Sequence, residues 1–518
     1  RVRAIQISNT DGGDYGTAFI SFLKGAFYDI GRNDNVEKLY LPLVEIEDAL
    51  RPTIFSVSLN YSTGVVVINA SETIDSTPRT LVDTAKILLY NDNINDALTV
   101  LNSNVFEVDE LHVTILLTED QRALGINGSG TPGGDGSALS VKLIVNAIQD
   151  IAQNGNLETN LILIEHDDIV HPVPLVVIVN FTHGTMTLNF SETILAEQTT
   201  QYNLSNVYFA NITGQKDISI GDSIAEISFL TSVNLKMSER TRIRGIEHSA
   251  TPGGDGRKLV MDIYANAFQD VARNYNRDTF NIKVVEYPDI LSPVIISGKI
   301  FLGNGHITLL ASEILDLTPV YKLNLSRAFL ANVTGDEHIP LATVYETVSD
   351  DQAYINITLL EVQRVQAVLI ANQRGGDNEP IILDLGVNSF VDIAQNGNHR
   401  PMMIVLEEFP DDIPPVILSC TMDYNIGVMR IITNEIVDIT PVSLVNLTQL
   451  KIVQANDTDT GVSLVGATVK GVDDQVITIT LTEAQRVASI GISGTAGGDN
   501  GTAFLRVAES AILDFSLL

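Results

Sequence analysis

Oxygen-bearing side chains at fixed spacing are what this sequence offers for chemistry. Asp150, Asn154 and Asn156 lie in the segment DIAQNGN, and Asp270, Asn274, Asn276 and Asp392, Asn396, Asn398 repeat the spacing, with Asp29, Asn33 and Asn35 as an earlier copy. Oxygen donors at alternating positions beside an acidic segment suit Ca²⁺, which takes about six to eight oxygens. The same residues also suit Asx turns, in which each side chain bonds its own backbone two residues on. Ca²⁺ at inter-domain joints is therefore one expectation, and a purely structural turn is the other.

A second set of acids, Glu72, Glu192, Glu313 and Glu435, recurs at a strand end, as SETID in the first copy and SEILD in the third. A paired-carboxylate glycosidase needs a second acid nearby and usually one active domain, not several near-equal ones. The eight histidines are scattered, His166 and His171 being the closest pair, and no HExxH, GxSxG or Cys–His arrangement occurs. The expectation is a protein that is not an enzyme. Gly128, Gly130 and Gly133 match GxGxxG by spacing, but Pro132 intervenes and an alternating strand follows, so the context for a dinucleotide is wrong. A turn that needs positive φ explains these glycines better.

Asn-X-Ser/Thr sequons stand at Asn60, Asn69, Asn127, Asn180, Asn189, Asn203, Asn211, Asn324, Asn332, Asn356, Asn446, Asn456 and Asn500. Several fall at equivalent points of different repeats: Asn203, Asn324 and Asn446; Asn69 and Asn189; Asn211 and Asn332. Duplication alone would copy them. Asn189, however, occupies a polar position of an alternating strand, where a side chain points outward and has room for a glycan. N-linked glycans on a secreted protein are the expectation.

The elements that position these residues come from an internal repeat. Thr131–Asn156 and Thr251–Asn276 are near copies, and the GGD anchor returns at Gly12, Gly133, Gly253, Gly375 and Gly497, a step of about 121 residues, which is the size of one small domain rather than a solenoid unit. Within a copy, apolar and polar residues alternate with period two. Examples are Met186, Leu188, Phe190 against Thr185, Thr187, Asn189; Ile477, Ile479, Leu481 against Thr478, Thr480; and Leu139, Val141, Leu143 against Ser140, Lys142. These predict half-buried strands, roughly seven to nine per copy in two packed antiparallel sheets. Thr118 followed by Gln121, and Thr482 followed by Gln485, predict a short helix opened by a capping box; Ser238 takes the same place in another copy, and Leu360 has lost the cap. Between copies lie acidic, proline-bearing segments: Glu45 to Asp48 before Pro52, Glu165 to Asp168 before Pro172, Glu286 to Asp289 before Pro293, and Glu407 to Asp412 before Pro414. They predict semi-rigid joints and an extended array.

Composition narrows the partners. Lys plus Arg number 31 against 64 Asp plus Glu, a net charge of −33, which would repel phosphate backbones and makes nucleic acid a poor partner. The single cysteine, Cys420, rules out a disulfide framework within the chain. No apolar run approaches the roughly 18 residues of a membrane span.

The proline-led strand, the SETID or SEILD strand end and the DIAQN turn resemble the bacterial Ig-like repeats of surface-layer and adhesin proteins, which carry an FSE-type strand end and a D-x-AGN turn. Gln153, Arg273 and Gln395 replace the glycine of that turn. The LTE-QR helix and the GGD block are similar to long Ig-like repeat proteins of algae and protists, the mastigonemes among them. Cadherin calcium motifs are absent, so calcium does not carry over from cadherins. The resemblance implies an all-β fold of tandem Ig-like β-sandwich domains of about 121 residues. It divides the chain into 1–50, the C-terminal part of a repeat; 51–171, 172–292 and 293–413, whole repeats; and 414–518, a repeat lacking its last strand. It further implies an extracellular or cell-surface role. That role is either a structural glycoprotein self-associating into a filament, appendage or layer, or an adhesin binding carbohydrate or protein. The incomplete ends are those of an excerpted array, or of a chain whose first residues complete a neighbour's last sandwich by strand addition.

Overall fold

The period-two pattern forms strands over most of each segment quoted for it. In the computed structural model Thr185–Phe190 buries Met186, Leu188 and Phe190 and leaves the intervening residues half-buried, and Val65–Ala70 repeats the pattern. The structure describes residues 1–517 apart from 92–96, 196–201, 227–230, 333–338, 343–344, 347–349, 400 and 455–459. The chain divides into two compact units, Arg1–Pro288 and Asp289–Leu518.

In the first unit, Ile54–Asn60 and Val65–Ala70 form an antiparallel hairpin whose turn ends at Gly64, with φ of 69°. His112–Leu116 and then Asn104–Val105 extend the sheet on one side. On the other side Ile164–His166 adds in parallel to Ile54–Asn60, so the chain leaves the five-stranded sheet beside the strand where it entered. A four-stranded sheet, Thr159–Ile162, Ser140–Leu143, Ile87–Tyr90 and Leu98–Thr99, packs against it. Leu59, Ile68 and Ile115 from one sheet and Leu89, Val141 and Leu143 from the other are fully buried in one core. Burying one apolar face of each sheet against the other is the sandwich solution to half-apolar strands. In the next copy Thr279–Tyr287 runs unbroken. It pairs antiparallel with Val260–Ile263 and parallel with Pro174–Asn180, and so fuses the two sheets into one of eight strands.

The second unit repeats the scheme. Ile295–Phe301 and His306–Leu315 form the hairpin, Glu407–Phe409 adds in parallel, and Ala328–Ala331, Ile382–Leu385 and Met402–Val405 form the facing sheet. Further on, Ile417–Asp423, Val428–Val437 and Asp474–Thr480 face Leu450–Gln454 and Ala503–Val507. The chain is an all-β array of tandem Ig-like β-sandwiches.

Among the described residues, each copy from residue 51 onward carries a short α-helix at the place that the capping-box spacing marks. Thr118 caps Glu119–Asn127 and Thr482 caps Glu483–Gly491, each with its reciprocal glutamine. Ser238 caps Glu239–Glu247 through the Thr241 N–H. Before Glu361–Leu369 the Leu360 side chain offers no acceptor, yet Gln363 still accepts the Leu360 N–H at 2.9 Å. The glutamine does more than close the cap, since Gln121 also donates to the carbonyls of Thr99 and Leu101 and so ties the helix to the neighbouring loop. Among the described residues no helix is long and apolar enough to cross a membrane.

Candidate functional site at the joints

The acidic segment between repeats is a hydrogen-bonded structure. A glutamate within it fastens the glycine-rich block of its own repeat. Glu165 accepts from the Tyr61 hydroxyl at 2.7 Å and from the Gly130 N–H at 3.2 Å, and Glu408 accepts from the N–H groups of Asn372 and Ile381 at 2.9 and 2.7 Å. An aspartate near its end faces the next repeat. There Asp168 meets Glu192 and Asp270, each presenting a carboxylate oxygen within 4.8 Å of the others, and all three residues are buried. The same trio recurs as Asp48, Glu72, Asp150; as Asp289, Glu313, Asp392; and as Asp411, Glu435, Asp514.

An arginine from the short helix closes the joint. Arg122 Nη1 donates to Asp168 at 2.5 Å and to the Tyr61 carbonyl at 3.1 Å, its Nη2 reaches Glu192 at 3.1 Å, and Nε and Nη2 form a fork on Glu119 at 2.7 Å. Arg364 repeats this set with Asp411, the Leu302 carbonyl, Glu435 and Glu361. Glu119 then reaches across the joint to accept from the Thr193 N–H and hydroxyl, as Glu361 does from the Ile436 N–H. Arg1 holds the corresponding position against Asp48 and Glu72. Gly133, at φ of 91°, lies directly on the Val271 carbonyl, and Gly375, at 90°, on that of Phe515; no side chain fits at either contact. Val271 and Ala272 complete the apolar core of the preceding repeat.

The electrostatics follow from burial. Burial, then the neighbouring Asp168, pushes the Glu192 carboxyl up to about 8. Burial pushes Asp270 to about 6 against the hydrogen bonds from Asn274, and Glu435 to about 7 against Arg364. Burial raises Glu119 as well, but the Arg122 fork outweighs it and holds that carboxyl below the usual range. One guanidinium faces four carboxylates, Glu119, Asp168, Glu192 and Asp270, and the site keeps an excess of negative charge.

The aspartates singled out from the sequence, Asp150, Asp270 and Asp392, lie in these clusters. Their asparagines are placed differently. Asn154 donates from its backbone and side-chain amides to Asp150 and from Nδ2 to the Asp48 carbonyl, bridging the joint; Asn274 and Asn396 do the same to Asp168 and Asp289. Asn156 accepts from the Ala147 and Ile148 N–H groups and donates to the Ile144 and Leu157 carbonyls; Asn276 does likewise, and Asn398 accepts from Ser389 and Phe390. The partners that face the aspartates are Asp48, Asp168, Asp289 and Asp411, with Glu72, Glu192, Glu313 and Glu435. Their recurrence at the repeat period, together with that of Arg122 and Arg364, is the sequence signal that marks them.

The sequons differ in exposure. Asn127, Asn203 and Asn500 are exposed, whereas Asn60, Asn69, Asn180, Asn189, Asn211, Asn324, Asn356 and Asn446 are half-buried. Asn332 is buried and donates to Asp377, and Asn456 lies outside the described residues.

No family model and no curated protein matches the chain. Among solved structures it is similar to the S-layer protein SbsC, at 10% identity over 84% of this chain and 51% of that one, with a TM-score of 0.18. It is also similar to a stretch of titin domains, at 10% identity over 70% of this chain and 100% of that one, with a TM-score of 0.16. The FN1–FN3 domains of chicken CNTN1 give 9% identity over 69% and 98%, with a TM-score of 0.17. The chain spans about half the length of the S-layer protein it matches.

Proposed function

We propose that the chain is a structural protein of an extracellular filament, appendage or cell-surface layer, in which Ig-like repeats are connected by one standard joint. The observation that supports this reading most is that Arg122 and Arg364 make the same set of bonds, to a carbonyl and a glutamate of their own repeat, to the joint aspartate and to a glutamate of the following repeat. The same bonds repeated at separate boundaries serve connection. A buried ion network gathered on one guanidinium favours one arrangement of the repeats over sliding alternatives. N-linked glycans at the exposed Asn127, Asn203 and Asn500 belong to the same proposal.

Negative-stain microscopy of native material tests it. A structural role predicts regular fibres or sheets containing the chain. Single molecules bound to a carbohydrate or protein surface, with no ordered assembly, would favour the adhesin instead.

A further inference from the structure

We propose that each Asp–Glu–Asp cluster, Asp48–Glu72–Asp150, Asp168–Glu192–Asp270, Asp289–Glu313–Asp392 and Asp411–Glu435–Asp514, binds one divalent cation, Ca²⁺ by preference. The spacing fits a single ion. Oxygens around Ca²⁺ lie at about 2.4 Å from the metal, so two on opposite sides are roughly 4.8 Å apart. The three carboxylates of each cluster reach within 4.8 Å of one another.

A separate observation points to a ligand there. Glu192 is 6% exposed and Glu435 is 5% exposed, and in both the Oε2 atom is paired with arginine while Oε1, itself buried, receives no hydrogen bond. A buried carboxylate oxygen without a donor is costly, and the same atom is left without one in both copies. A half-open pocket of about 30 Å³, lined by Asp48, Glu72 and Asp150 with Arg1 and the apolar Val2 and Ile5, lies at the corresponding place in the first cluster. That is enough for a water or an ion. The charge balance agrees: Arg122 is the cation facing Glu119, Asp168, Glu192 and Asp270, and buried charge of one sign either takes up protons or acquires a counterion. Oxygen-only ligands, with no sulfur or imidazole among them, select a hard cation. Mg²⁺, which keeps its waters and demands a tighter octahedron, fits a site held by three protein carboxylates less well.

The asparagines therefore shape the site without forming it. Asn154 and Asn274 orient the aspartates through both carboxylate oxygens, as outer-sphere groups do.

Ion binding depends on the joint geometry and not on assembly, so its failure and that of the proposed filament are separable. The full chain, stripped with a chelator, is dialysed against Ca²⁺ and its bound metal is counted by mass spectrometry alongside calorimetric titration and thermal unfolding. Four ions per chain are expected, one for each cluster, with a Tm several degrees higher and Mg²⁺ at least about tenfold weaker. Glu192→Gln and Glu435→Gln, which keep side-chain size, should each remove one ion while circular dichroism shows the strands intact. Should a variant fail to fold, the count on the unaltered chain still decides. No bound metal at millimolar Ca²⁺ would overturn the proposal, as would an unchanged count in folded variants. A protonated-carboxyl infrared band persisting at neutral pH with Ca²⁺ present would also overturn it.

Discussion

Gln153, Arg273 and Gln395 stand at φ of 65°, 73° and 68°, in the left-handed region where a side chain costs about 1–2 kcal/mol. They occupy the place that glycine takes in the D-x-AGN turn of the resembling repeats. Replacing each by glycine relieves that strain but adds unfolded-state entropy, so a net gain of about 0.5 kcal/mol per site is expected from chemical denaturation. A loss of stability would contradict it. The opposite sign holds for Asn156, whose amide satisfies four backbone groups from inside the turn: Asn156→Ala should cost about 2–4 kcal/mol, read the same way. Sequence spacing marks Asp150, Asn154 and Asn156 as a unit because the spacing repeats, but spacing alone does not divide their roles. Only the fold shows that Asp150 faces Glu72 across the strand end while Asn156 faces its own backbone. Glu192 is legible as a recurrent residue, and its meaning is not, because its partners Arg122 and Asp168 are distant in sequence and adjacent only once the joint has formed.

At the scale of elements, the strands are the most legible part. Alternation at Met186, Leu188 and Phe190 appears directly as burial, since a half-apolar strand has one way to face a core. The continuous strand Thr279–Tyr287, which fuses two sheets, is not legible, because the pattern that marks a strand does not mark where a break relieves twist. The helix Glu119–Asn127 is readable from its capping box, while its principal function, delivering Glu119 and Arg122 into the joint, is not. Two element-scale outcomes follow. Thr482→Ala removes a cap and should cost about 1 kcal/mol, whereas Leu360→Thr should recover a similar amount, both measurable in urea. Gly133→Ala forces a side chain onto the Val271 carbonyl at a φ of 91° and should cost more than about 2 kcal/mol. A neutral Gly133→Ala would mean that the glycine-rich loop does not pack on the next repeat.

At the scale of the whole molecule, the net charge of −33 and the buried carboxylates set the response to pH and salt. Glu192 faces Asp168, Asp270 and Glu119 along with Arg122, and its carboxyl titrates near 8 instead of near its ordinary value of 4.5. A carboxyl whose folded-state value is raised contributes stability below its unfolded value and loses it as pH rises toward the folded one. Without divalent ions, then, stability should fall between about pH 4.5 and 8 in thermal scans. Bound Ca²⁺ should abolish that fall, because it replaces the proton. A metal-free chain whose stability rises steadily to pH 8 would contradict this sign.

If the Arg122 joint couples one repeat to the next, hydrogen exchange on the full chain will show it. Arg122→Ala leaves Asp168 and Glu192 buried without their partner, a loss of about 3–5 kcal/mol. Coupling predicts faster exchange in two places at once: in the helix Glu119–Asn127 of one repeat and in the segment 268–274 of the next, with the strand Val65–Ala70 unchanged. Faster exchange confined to the helix, with 268–274 as protected as before, would show that the repeats are merely adjacent and would contradict the joint.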